Sequence, residues 1–148
     1  RQFIKKHNGE YLYKDYIEEL MLKKRILVAD DQEEILSLLK DSLAGYDFEV
    51  MVCKEPKNIL SLIKSFKPDL ILLDLLMPDL GGFEICEILN NDPETSGIPI
   101  IIISGFGDLT DVKKAFKLGA VGYFVKPFAL SDLSKEISKA INNKENLL

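Results

Sequence analysis

From Arg25 onward the chain alternates five short apolar runs with five amphipathic segments of helical length, and few folds accommodate that order. Runs so rich in Ile, Val and Leu suit strands buried on both faces. Parallel sheets bury both faces because their crossover helices cover them. Strands are expected at Arg25–Ala29, Phe48–Cys53, Leu70–Asp74, Ile98–Ile103 and Gly122–Val125. Apolar residues at helical spacing predict helices at Glu33–Ala44, Pro56–Phe66, Phe83–Asn90, Leu109–Leu118 and Leu130–Ile141. The outcome is an α/β fold of five βα units with helices on both sides of one sheet. Ile35, Leu38, Leu39 and Leu43 mark the inner face of the first helix, with Gly45 as its stop. Ser131 or Asp132 is placed to cap the last helix, and a start one residue earlier is equally open.

A length of 148 residues allows one such domain and a short appendage, and 47% hydrophobic residues suffice for a core. The net charge of −5 argues against a general nucleic-acid-binding surface, which would show clustered Lys and Arg. Cys53 and Cys86 lie in unrelated segments without a CxxC or a His at ligand spacing, so neither a zinc site nor a disulfide framework is expected. The natural setting is the reduced cytosol. No apolar stretch reaches the roughly 18 residues of a membrane span, and Arg1–Glu10 lacks the apolar block of a signal peptide. The division expected is an appendage over residues 1–22, the α/β domain over 23–142 and a tail over 143–148. Tyr11, Tyr13, Tyr16, Ile17 and Leu20 are spaced as one side of a short helix. The appendage is compatible with a cloning or reading-frame extension, a linker from a neighbouring domain, or a partner-contacting helix.

Asp74 interrupts the apolar run Leu70 to Leu76, and a carboxylate there needs water, a cation or a basic partner, since burying an unpaired charge costs several kcal/mol or more. In an open parallel sheet, ligands bind beyond the carboxyl ends of the strands. Those ends carry Asp30-Asp31 on the first strand, Asp74 on the third, Ser104-Gly105 on the fourth and Lys126-Pro127 on the fifth. Three carboxylates together would repel one another, and a hard divalent cation such as Mg²⁺ takes oxygen ligands and relieves the repulsion. Lys126 and the Ser104 hydroxyl would complete a site for a phosphoryl group, and a carboxylate can accept one.

Taken singly, these residues have plainer readings: Asp30-Asp31 as a helix cap, Lys126-Pro127 as a rigid turn, Ser104 as a loop residue, Tyr123 as a strand aromatic and Gly81-Gly82 as a tight turn. Jointly they favour a site. His7, the only histidine, falls in the appendage and is expected to be solvated.

The Asp30-Asp31 pair, Asp74 within Leu72-Leu73-Asp74-Leu75-Leu76-Met77-Pro78, Gly81-Gly82, Ser104 after four isoleucines, and Val125-Lys126-Pro127-Phe128 resemble the receiver domain of bacterial response regulators. The resemblance covers about Lys24 to Asn142. It implies a flavodoxin-like strand order 2-1-3-4-5. It also implies Asp74 as phosphoacceptor, Asp30 and Asp31 as the acidic pair holding Mg²⁺, and Leu76 as a metal ligand through its backbone carbonyl. Ser104 would bind the phosphoryl group, Lys126 would be its counter-charge, and Tyr123 would be the aromatic switch. The implied donor is a sensor histidine kinase or histidine phosphotransfer protein. The implied output is a downstream protein or a homodimer engaged through the fourth helix, fifth strand and fifth helix, in the cytoplasm, with no nucleic acid or membrane contacted by this chain.

Lys113, Lys114 and Lys117 are expected to form an exposed helix face. The side chains two residues after Asp74 and two after Ser104 are Leu76 and Phe106, both large and apolar. Neither can orient an attacking water, so slow self-dephosphorylation is expected. Only Asn142 to Leu148 follow the fifth helix, so the chain reads as a receiver alone or as part of a larger regulator or hybrid kinase. Two other readings stand beside it. One is a pseudo-receiver that only binds or dimerises. The other is a phosphatase with an aspartyl nucleophile, for which Asp79, behind Pro78, is a poor general acid.

Overall fold

The computed structural model describes residues 6–7, 10–11, 22–77 and 81–146. Lys6–His7 pairs antiparallel with Glu10–Tyr11 in a two-residue ladder, so Tyr11 is extended and not helical. The rest of the helix expected there, the side chain of His7, and Pro78 and Asp79 lie outside the described residues.

Five parallel strands, β1 (Arg25–Ala29), β2 (Glu49–Cys53), β3 (Leu70–Asp74), β4 (Ile100–Ser104) and β5 (Gly122–Val125), form one sheet in the order β2-β1-β3-β4-β5. The helices are α1 (Glu33–Gly45), α2 (Ile59–Phe66), α3 (Gly82–Asn91), α4 (Leu109–Lys117) and α5 (Leu130–Asn146). The doubly wound fold expected from the strand and helix alternation is therefore present, with the flavodoxin-like strand order that the resemblance implies. All five residues of β3 and of β4 are buried, whereas the edge strands β2 and β5 are half-covered.

Side chains alternate across the sheet, so each strand feeds two cores. Leu27, Ala29, Ile71, Leu73 and Ile102 pack with Ile59 and Ile63 of α2, Ile85 and Leu89 of α3 and Ala115 of α4. Ile26, Val28, Leu70, Leu72, Ile101 and Ile103 point the other way, onto Leu36, Leu39 and Leu43 of α1 and Leu133, Ile137 and Ile141 of α5. Fully burying one such side chain contributes roughly 1.5–3 kcal/mol, so two interdigitated layers hold the strand ends in fixed register.

Several boundaries differ from expectation. Leu36, not Leu38, joins the α1 core. Leu38 is 53% exposed and Ile35 only half-buried, because α1 presents the Leu36-Leu39-Leu43 stripe to the sheet. The segment at Pro56 begins as a 3₁₀ turn, Pro56–Asn58, before α2, with proline at the position where a missing N–H is tolerated. β4 starts at Ile100 rather than Ile98 and takes in Ser104, while β2 starts at Glu49. α5 starts at Leu130 as expected, which puts Ser131 and Asp132 inside its first turn rather than at its cap, and it runs past Ile141 to Asn146, through the expected 142/143 boundary.

Gly82 fixes how α3 meets the sheet. A Cβ at this position would lie 2.6 Å from the Asp74 carbonyl oxygen and 2.7 Å from the Leu75 Cα. The glycine pair thus serves a close backbone approach at Gly82, while Gly81 adopts an ordinary extended φ of −72°.

Candidate functional site

Chain order reverses beside β1, where α1 and α5 cover one face and α2, α3 and α4 the other, and the carboxyl ends of β1 and β3 open onto the crevice. β1 delivers Asp30 just past Ala29, β3 ends in Asp74, and Ala29 pairs with Leu73. One carboxylate oxygen from each of Asp30, Asp31 and Asp74 lies within 4.8 Å of the others, a set that could hold a metal ion. Cis and trans oxygens of an octahedral cation with ligands at about 2.1 Å are about 3 and 4 Å apart, so the spacing fits a hard divalent ion that keeps part of its water shell. Asp30 is fully buried and Asp74 is 5% exposed.

Burial pushes the Asp74 carboxyl up to about 6, reinforced by the negative charges of Asp30 and Asp31 and opposed by the Leu76 N–H and Lys126. The Leu76 backbone N–H donates to Asp74 Oδ1 at 3.2 Å. Lys126, at the end of β5, donates from Nζ to Asp30 Oδ2 at 2.8 Å and stands 3.7 Å from Asp74 Oδ2. Lys126 is thus held principally by Asp30, and the Lys126–Pro127 peptide is cis.

Asp74, Asp31, Lys126, Leu76, Phe106, Gly105 and Gln32 line a cleft of about 270 Å³. Leu76 is 56% and Phe106 51% exposed, forming an apolar rim over an acidic floor. Ser104 is placed differently from the other site residues. Its side chain is fully buried and does not line the cleft, and its Oγ accepts the Phe106 backbone N–H at 3.1 Å. Tyr123, half-buried on β5, donates its hydroxyl to the Phe106 carbonyl oxygen at 2.5 Å. Ser104 and Tyr123 therefore grip the same loop residue from opposite sides.

The plain readings coexist with the site: Asp30 Oδ1 accepts the Gln32 backbone N–H at 2.9 Å, a local turn at the start of α1. Sequence reasoning missed Gln32 itself. Its Oε1 accepts Lys126 Nζ at 3.3 Å, and its position directly after Asp31 at a helix start was the available signal.

The sequence model of the family described as response regulator receiver domain matches residues 26–138. A probable transcriptional regulator, ycf27, of Cyanophora paradoxa is 35% identical over 124 residues, 84% of this chain and 51% of that protein. The DNA-binding response regulator MtrA of Mycolicibacterium smegmatis is 31% identical over 84% of this chain and 54% of its own length. The chain thus spans about half the length of these curated relatives. Among solved structures, a response regulator receiver domain protein from Clostridium thermocellum superposes with TM-score 0.78 at 33% identity, covering 84% of this chain and 99% of that one. A CheY-like receiver domain protein from Methanospirillum hungatei gives 0.79 at 28%, covering 85% and 99%.

Proposed function

The chain belongs to the response regulator receiver domain family, and we propose that Asp74 accepts a phosphoryl group from a phosphohistidine on a sensor histidine kinase or histidine phosphotransfer protein. One observation carries the reading: a nearly buried carboxylate sits beside two further carboxylates and 3.7 Å from a lysine, on the floor of a cleft. Without a cation, burial raises the Asp74 carboxyl to about 6, so it is ionised at neutral pH and able to act as a nucleophile. The phosphorus–nitrogen bond breaks with its electron pair on the imidazole, and a phosphorus–oxygen bond forms to Asp74. Asp30, Asp31, Asp74 and the Leu76 backbone carbonyl would hold Mg²⁺, which would supply charge neutralisation for the phosphoryl oxygens. Lys126 supplies the remaining positive charge. The protein's task is positioning rather than turnover of a free substrate.

The added charge of about −1.5 to −2 favours a conformation in which the Ser104 hydroxyl leaves the Phe106 N–H for the phosphoryl group. Tyr123, bonded to the same residue, then changes its environment and with it the α4-β5-α5 face. That face carries exposed Leu109, Phe116 and Val125, which suit a downstream protein or a homodimer. One relative is named a probable transcriptional regulator and the other a DNA-binding response regulator, which suggests that outputs of this kind act through parts these 148 residues do not span. We place the signalling unit at residues 23–142 together with the end of its last helix to Asn146, with residues 1–22 as an appendage and action in the cytoplasm. Among the described residues no helix is long and apolar enough to cross a membrane.

Incubation with Mg²⁺ and a small phosphodonor, or with beryllium fluoride, tests the assignment. Modification at Asp74, abolished in Asp74→Asn, is the expected result. An unmodified wild type would leave a pseudo-receiver that acts only by binding.

A further inference from the structure

The Lys126 ammonium faces three oxygen atoms: it donates to Asp30 Oδ2 at 2.8 Å and Gln32 Oε1 at 3.3 Å and stands 3.7 Å from Asp74 Oδ2. Two of the three belong to carboxylates that a cation and a phosphoryl group would engage. Once Asp30 turns its charge to a cation and Asp74 carries a phosphoryl group as an acyl phosphate, the Gln32 amide is the acceptor in this set that stays free. Ammonium can only donate, which fixes the amide with its oxygen toward Lys126. Gln32 is itself held: its backbone N–H donates to Asp30 Oδ1 at 2.9 Å, and it stands at the N-terminus of α1, lining the cleft with Asp74 and Lys126.

We infer that Gln32 is a positioning residue, a neutral acceptor that keeps the Lys126 ammonium aimed into the cleft while the cation and the phosphoryl group occupy the carboxylates. This rests on the reading of Asp74 as phosphoacceptor. Neutrality matters as much as reach. A fourth carboxylate beside Asp30, Asp31 and Asp74 would attract a divalent cation more strongly, repel an anionic phosphoryl group and compete with it for Lys126. An amide holds the lysine without adding charge.

Gln32 is exposed, so substitutions there leave the core intact. The experiment compares wild type, Gln32→Met, Gln32→Glu and Asp74→Asn in two titrations: Mg²⁺ alone by NMR, then beryllium fluoride at saturating Mg²⁺. Gln32→Met keeps size and neutrality but loses the acceptor. It should bind Mg²⁺ like wild type while its affinity for beryllium fluoride falls about threefold to tenfold, the span of one ordinary net hydrogen bond, as suits a long and exposed contact. Gln32→Glu should move the two affinities in opposite directions, Mg²⁺ tighter and beryllium fluoride weaker. A purely structural role at the helix start would move neither in this pattern. Equal beryllium fluoride affinity in wild type and Gln32→Met overturns the inference, as does parallel movement of both affinities in Gln32→Glu. If wild type binds beryllium fluoride no better than Asp74→Asn, the phosphoacceptor reading itself fails, an outcome distinct from either of these.

Discussion

Without a divalent cation, Asp74→Asn should stabilise the protein, and the gain should depend on pH. Asp74 is 5% exposed and its carboxyl is raised from the ordinary 3.8 to about 6, chiefly by burial. The folded state therefore holds a proton that the unfolded chain releases between pH 4 and 6. Wherever the native state binds more protons, its stability falls as pH rises. At 1.36 kcal/mol per pH unit, the ionised carboxylate costs the native state on the order of 3 kcal/mol at pH 7.5, roughly half of that at pH 5 and little at pH 4. Asparagine has no charge to bury and retains an oxygen for the Leu76 N–H, so it removes most of that penalty. Urea unfolding of both proteins in chelator, at pH 7.5, 5 and 4, measures the difference directly. Added Mg²⁺ should stabilise wild type more than the variant and narrow the gap. A variant no more stable than wild type at pH 7.5, or a gain undiminished at pH 4, would refute the electrostatic account of this site.

Three further outcomes follow from the same geometry. If the apolar rim of Leu76 and Phe106 fails to orient water, Leu76→Asn or Phe106→Glu should shorten the phosphorylated lifetime by on the order of tenfold, read as phosphate loss from the purified phospho-form. Unchanged lifetimes in both variants would remove the rim from the argument. Leu36→Ala should lose about 2–5 kcal/mol in urea unfolding, whereas Leu38→Ala, on the exposed side of α1, should stay within about 0.5 kcal/mol. Gly82→Ala forces a Cβ to 2.6 Å from the Asp74 carbonyl oxygen, so α3 must shift, lowering stability by about 1–3 kcal/mol and weakening beryllium fluoride binding together.

Much of the site was legible because chemistry in this fold collects where strands end, and strand ends are set by local pattern. Asp30-Asp31, Asp74 and Lys126 each follow an apolar run, and parallel pairing with Ala29 beside Leu73 and Ser104 beside Val125 brings those ends to one edge. The errors lay where pattern is degenerate. Leu36 and Leu38 are both apolar, and which one faces the sheet depends on how α1 rolls against β1. Ser131 and Asp132 are good capping residues in isolation, yet α5 begins before them.

By itself the sequence determined the five-strand alternation, the doubly wound class and the convergence of carboxylates and lysine, since apolar period and strand-end position are properties of short segments. Only the tertiary structure decided who touches whom. Lys126 bonds Asp30 at 2.8 Å and stands off Asp74 at 3.7 Å, Ser104 lies buried under Phe106 instead of lining the cleft, and Gln32 joins the lysine. Gly82 is required by a backbone, that of Asp74, which approaches too closely for any side chain. Such contacts join residues as many as 96 positions apart, where a shift of about 1 Å makes or breaks a hydrogen bond, and no local pattern encodes distance that finely.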